Sequence, residues 1–355
     1  MSSATDAMQK FFILAVLATS LLIIATYLLS MGLGILVFFS TTEGLEFSRE
    51  ALVLRPLLFI DIPISVNAGF YFIFIWWVFI LCFVAALKYR ESIFGRIREV
   101  LSGACTRSLF KNNLLAMPII ASMLLVAVLA LHYLQTLGGI PTGEPAQSEP
   151  FLDFLRFSRA PLVEEIIFRI IPLGAFLVTY IPLAGKKVTQ TLTRNQRLKL
   201  SLLAILQPDK AKERLELKNI NEHGLFGGTI WAEWMMVVFT ALLFGVAHYT
   251  GGSNGWQMGK ISQAALSGAV FAGAYLFYGV QAPILLHWFF NYYFSVFDLT
   301  GDHLVTTDLA SPTWQVSISF GIFLWLATLL LGGLVLYKKL GNKPESQPSP
   351  PSICT

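Results

Sequence analysis

Charged residues are scarce in this chain: Asp, Glu, Lys and Arg make up 13% of 355 residues, against a hydrophobic fraction of 55% and a mean hydropathy of +0.66. No soluble domain could bury that much apolar surface, so a water-soluble fold is excluded and the bilayer is the remaining solvent. Cysteine is nearly absent. The three cysteines, Cys82, Cys105 and Cys354, lie far apart and form no CxxC pair, which argues against a disulfide framework and against a thiolate metal site. An internal repeat of the kind that marks many secondary transporters is also lacking.

What the chain has in abundance is long apolar runs. A transmembrane helix takes about 20 largely apolar residues, and that requirement predicts about eight spans, near 11–39, 68–87, 114–134, 160–183, 230–248, 261–278, 282–297 and 315–337. The first run is longer than the roughly 7–15 residues of a signal-peptide core and shows no obvious cleavage site, so it reads as an uncleaved membrane helix. The expected fold is an all-α polytopic membrane protein. It divides into a three-helix N-terminal membrane region (1–150), a core (151–300), a C-terminal membrane helix (301–342) and a disordered tail rich in Pro and Ser (343–355).

The net charge of +4 conceals a strong asymmetry. Lys88, Arg90, Arg96, Arg98, Arg107 and Lys111 fall between the second and third spans, and nine Lys and Arg residues lie between Lys186 and Lys218, after the fourth. Segments 138–151 and 300–313 hold acidic residues and no basic ones. Loops rich in Lys and Arg stay cytoplasmic, so the basic loops face inward, the acidic ones outward, and both termini, flanked by Lys10 and by Lys338, Lys339 and Lys343, fall inside. The basic clusters are read as topology determinants and not as a nucleic-acid surface. The expected setting is the plasma membrane of a prokaryote or an internal membrane of a eukaryote.

Ionisable side chains inside spans cost roughly 3 kcal/mol each on insertion scales, which makes them functional candidates by default. The first three spans hold only His132, which reads as a satisfied structural residue. The fourth carries Glu164, Glu165 and Arg169. Glu165 and Arg169 stand at i and i+4 and can pair on one helix face, leaving Glu164 about 100° away on another. A carboxylate neutralised by arginine is a poor base, whereas one buried without a cation is suited to proton transfer. Glu164 is therefore the candidate general base. The fifth span ends Phe244-Gly245-Val246-Ala247-His248, and the seventh carries His287 and Asn291 one helical turn apart, a donor pair suited to an oxyanion. His223 and His303 have no such company and read as solvated.

Glu-Glu-x-x-x-Arg, Phe-x-x-x-His and His-x-x-x-Asn, in that order on successive membrane helices, resemble the CPBP or ABI family of intramembrane proteases, the type II CAAX prenyl endopeptidases. The resemblance covers roughly 160–297. It implies that Glu164 and His248 activate the hydrolytic water, that His287 and Asn291 stabilise the tetrahedral intermediate, and that Glu165, Arg169 and Phe244 support the site. It implies no cofactor and a metal-free, glutamate-dependent mechanism. Zinc held by Glu164, His248 and His287 remains the alternative, although the chain has no HExxH pair. The expected partners are the lipid bilayer and a membrane-anchored or lipidated protein substrate, as in the prenylated CAAX proteins cut by the family. A proton-coupled transporter and a non-catalytic membrane scaffold or immunity-type protein are the competing functions.

Overall fold

The computed structural model describes residues 2–54, 64–88, 92–102, 106–144, 148–251 and 255–341. Arg90, Cys105, Cys354, Lys343 and the expected tail lie outside the described residues, as do the side chains of Arg107, Lys338 and Lys339. The chain opens with α1 (Ser2–Ser40) and α2 (Thr42–Ser48), followed by an antiparallel pair, β1 (Ala51–Leu54) and β2 (Ile64–Asn67), with Ala51 opposite Asn67. Helices α3 (Ala68–Lys88), α4 (Ile93–Leu101) and α5 (Asn113–Leu137) complete the N-terminal region. Next, α6 (Pro150–Glu165) runs through a π-helical turn, Ile166–Ile170, into α7 (Pro172–Ala184). Four short helices follow: α8 (Lys186–Thr191), α9 (Arg194–Leu206), α10 (Pro208–Arg214) and α11 (Ile220–Gly228). The long antiparallel pair α12 (Trp231–Thr250) and α13 (Met258–Tyr278) leads to α14 (Gln281–Trp288), a π turn (Phe289–Tyr293), α15 (Phe294–Thr300), another π turn (Gly301–Val305) and α16 (Ala310–Gly341).

This is an all-α polytopic membrane fold. Six described helices are long and apolar enough to cross a bilayer: α1 over Lys10–Ser40, α3, α5, α12, α13, and α16 over Ala310–Leu330. The α6–α7 pair makes a seventh if its 40° bend is counted within one span. That bend falls between Ile170 and Pro172, where the π turn ends and Pro172 has no N–H for the helical ladder. The run predicted at 282–297 is the broken path α14–π–α15, too short in each piece to register as a span by itself.

Helix ends are fixed by side chains that answer unpaired backbone groups. The Asn112 side-chain oxygen accepts from the Leu114 and Leu115 amides at 3.0 and 3.2 Å, while its Nδ2 donates to the Leu87 carbonyl at 3.1 Å, joining the start of α5 to the end of α3. Glu149 caps α6 by accepting from the Phe151 and Leu152 amides at 3.0 and 2.7 Å, with Pro150 in the first turn, where no N–H is needed.

Two apolar cores result. In the larger, every residue of α14 is buried, and Trp288 is ringed by Tyr27 of α1, Phe79 and Phe83 of α3, and Tyr292. A helix walled in by protein needs no continuous lipid-facing run, which is why α14 is short. The smaller core gathers Leu173 and Leu177 of α7, Leu200 and Ala204 of α9, and Ala272 and Tyr275 of α13. The basic stretch after the fourth span is therefore a folded helical cap and not an open loop. Lys212, counted above among its topology charges, is buried, and its Nζ donates to Glu233 at 2.6 Å and to the Gly228 carbonyl at 3.0 Å.

Candidate active site

Glu164 and Glu165 end the regular part of α6, and the backbone widens into a π turn immediately after them. Such turns insert an extra residue into a helix and recur at functional sites because they re-aim side chains. Here Arg169 lies inside the turn, with Nη1 at 3.0 Å from Glu165 Oε1 and both side chains fully buried. Glu165 Oε1 also accepts from His287 Nδ1 at 2.8 Å. A single carboxylate thus ties the arginine of one helix to the histidine of another.

Phe244 organises the apolar side. The Arg169 guanidinium carbon lies 4.0 Å from its ring centroid, a cation–π contact. The His248 and His287 rings meet it edge-on at 4.5 and 5.8 Å, and its carbonyl takes a hydrogen bond from His248 Nδ1 at 2.8 Å. A carbonyl can only accept, so Nδ1 of His248 bears the proton and Nε2 of the neutral ring is a lone pair. By the same reasoning Nδ1 of His287 donates to Glu165. Both remaining Nε2 atoms converge on Glu164 Oε2, at 3.9 Å from His248 and 3.7 Å from His287. That oxygen has no hydrogen-bond partner within the protein. The separations exceed a direct hydrogen bond but suit one oxygen atom bridging between the groups.

These residues border a cleft of about 570 Å³. Glu164, His248, His287 and Asn291 all line it, whereas Glu165 and Arg169 lie behind its wall. Asn291 sits in the second π turn. By their places in the predicted spans, Glu164 belongs toward the outer face of the membrane and His287 toward the inner one, and the fold reconciles them in two ways. Helix α6 begins at Pro150, about 21 Å along the axis from Glu164 at 1.5 Å per residue. Helix α14 enters the protein interior at once, bringing His287 up beside it. The described residues between α12 and α13, 251 and 255–257, form a short link.

Residues 147–293 match the family of Rce1-like type II CAAX prenyl endopeptidases. No curated protein and no solved structure matches. The Rce1-like segment runs from the connection before α6 to the second π turn, and so contains every side chain placed above around Glu164.

Two bare Nε2 atoms and a carboxylate are also zinc-type donors. Among the described residues, however, no group of three His, Cys, Asp or Glu side chains is arranged to hold a metal ion. His132 lies elsewhere, bonding the Thr142 hydroxyl and the Gln263 amide, each at 3.2 Å. His223 meets the Asn219 carbonyl at 3.3 Å, and His303 packs on Phe151.

The cleft also contains residues that motif reading passes over. Arg156, Arg159, Trp256 and Lys260 line it. Lys260 falls one residue before the predicted sixth span, where a lysine reads as an interfacial charge. Gly268 of α13 leaves room for the arginine: a Cβ there would lie 2.8 Å from Arg169 Nη2 and 3.1 Å from Ala241 Cα. No signal in a single sequence distinguishes this glycine from its neighbours.

Proposed function

We propose that this protein is an intramembrane endopeptidase that hydrolyses a peptide bond of a membrane-anchored or lipidated protein with water activated by Glu164 and His248. The convergence of both histidine Nε2 atoms on the otherwise unpartnered Glu164 Oε2 carries this reading. Water bridging Glu164 and His248 gives its proton to the carboxylate as its oxygen bonds to the scissile carbonyl carbon. The Asn291 side-chain amide donates to the resulting oxyanion, with His287 alongside it. When the C–N bond breaks, the proton held by Glu164 passes to the leaving amine. Glu165 and Arg169 fix His287 and do not touch the reacting atoms.

The site works without a metal in this reading, and a farnesylated CAAX peptide is the substrate to try first. Purified wild type should cleave a fluorogenic farnesylated CAAX peptide in detergent, with or without phenanthroline, and Glu164→Ala should not. Cleavage retained by Glu164→Ala would remove Glu164 from its role. Loss of wild-type activity in phenanthroline, with recovery on adding zinc, would replace the metal-free route by zinc held at Glu164, His248 and His287.

A further inference from the structure

Helix α9 carries an apolar face turned away from the protein. Leu198, Leu202 and Leu206 recur every four residues, so they form one stripe along the helix, and they are 62%, 51% and 49% exposed. On the opposite side Leu200 and Ala204 are buried in the smaller core, against α7. At 100° per residue, Arg194 and Lys199 flank the stripe, about 40° before Leu198 and about 20° beyond Leu206. The helix folds back along α7, with Ile205 beside Gly174, where a Cβ would lie 3.7 Å from the isoleucine. Its last turn is tied to the end of the membrane-spanning α13: the Tyr275 hydroxyl donates to the Ile205 carbonyl at 2.7 Å, and the Val280 amide to the Leu206 carbonyl at 3.1 Å. The stripe therefore starts at the depth where α13 ends and continues the outer surface of α7, on which Leu183 is 66% exposed.

We infer that α9 is a membrane-interface helix that binds anionic phospholipid, with Leu198, Leu202 and Leu206 entering the acyl layer and Arg194 and Lys199 holding the phosphate headgroups. Continuity with the lipid-facing side of α7 selects lipid for the leucines, since an apolar face beside a span has acyl chain and not water next to it. Charge selects the headgroup. The sequence has no acidic residue between Glu165 and Asp209, yet five Lys and Arg fall within 186–199. Arg197 is engaged by the Gln190 and Leu192 carbonyls at 3.2 and 3.1 Å. Arg194 and Lys199 form no ion pair among the described residues, so their counter-anion comes from outside the protein. Basic residues beside an apolar stripe are the arrangement that draws a helix onto an anionic leaflet. The site lies at the basic end of the bundle, away from the cleft, and stands whether or not the chain cleaves peptides.

Site-directed quenching tests both halves. Cysteine-free protein carrying Leu202→Cys is labelled with the fluorophore NBD and reconstituted in vesicles of phosphatidylcholine with a minority of phosphatidylglycerol, one lipid or the other bearing a nitroxide on its acyl chain. The nitroxide should quench this label about as strongly as one at Leu183→Cys on α7, while aqueous iodide should not. Per mole, nitroxide on phosphatidylglycerol should quench about fivefold more than nitroxide on phosphatidylcholine, the effect of one basic residue at an anionic surface. Arg194→Gln combined with Lys199→Gln should bring that ratio close to one. Quenching at Leu183→Cys should not change in the double variant, which shows that the bundle still inserts. Iodide quenching without nitroxide quenching would overturn the inference by placing α9 in water. Protection from both quenchers would overturn it in favour of a protein partner or a second copy on the stripe. Equal quenching by the two lipids, or a preference that survives the double variant, would overturn the headgroup assignment.

Discussion

Adjacent glutamates with opposite surroundings define the site at the level of single residues. Glu165 is fully buried and shared between Arg169 and His287, whereas Glu164 is 29% exposed, borders the cleft and has an oxygen with no partner in the protein. Substitutions at the two should therefore differ in kind. On the proposed mechanism Glu164→Gln preserves shape and removes only the base, so cleavage should fall by at least the roughly 10²–10⁴-fold typical of a lost general base while Tm in detergent stays close to wild type. Arg169→Met instead leaves Glu165 as a buried charge without its cation, a change that costs about 3–5 kcal/mol. A marked loss of Tm should accompany it. Glu165→Gln combined with Arg169→Met removes both charges and should recover much of that loss. A double variant no more stable than Arg169→Met would show that the ion pair is not what holds these helices. The pairing at i and i+4 is legible from the sequence. The Glu165–His287 bond is not, since nothing in either motif says which carboxylate the histidine meets.

Among the elements, the α12–α13 pair and the two π turns set the positions of these side chains. Gly268 lets α13 approach Ala241 while leaving space for the guanidinium, so a larger residue must push Arg169 aside or part the helices. Gly268→Val should destabilise by about 1–3 kcal/mol, as overpacking does, and lower activity more than Gly273→Val. A Cβ at Gly273 meets nothing within 4 Å, which makes it the matched control for lost helical glycine. Comparable effects at the two positions would remove the special role of Gly268. The long apolar helices are legible because hydropathy over about 20 residues is a strong signal. Shorter elements are not. Helices α8, α9 and α10 are rich in charge and none buries more than one side, so a residue count reads them as loop. The π turns depend on packing around Arg169 and Asn291 and leave no periodic mark.

For the whole molecule, direction across the membrane decides which substrates can reach the site. The cleft is built from the first part of α6, the end of α12, the start of α13 and the link between them. That end of the bundle also holds segment 138–144, which is joined to the link where the Gln257 amide donates to the Thr142 carbonyl at 2.8 Å and the Gly259 amide to Pro141 at 2.9 Å. The basic helices α8 to α10 occupy the other end. Since Lys- and Arg-rich segments remain in the cytoplasm, the cleft should lie toward the opposite side. Buried Lys212 weakens the count by one charge, yet exposed Lys186, Lys187, Arg194 and Arg197 keep its sign. Cysteine-free protein carrying Glu144→Cys should thus react with an impermeant maleimide on right-side-out vesicles, while Lys187→Cys should react only after permeabilisation. That outcome would direct the substrate search to exported, membrane-anchored chains. Labelling in the reverse sense would place the cleft within reach of cytosolic lipidated proteins and make the prenylated C-terminus its natural ligand.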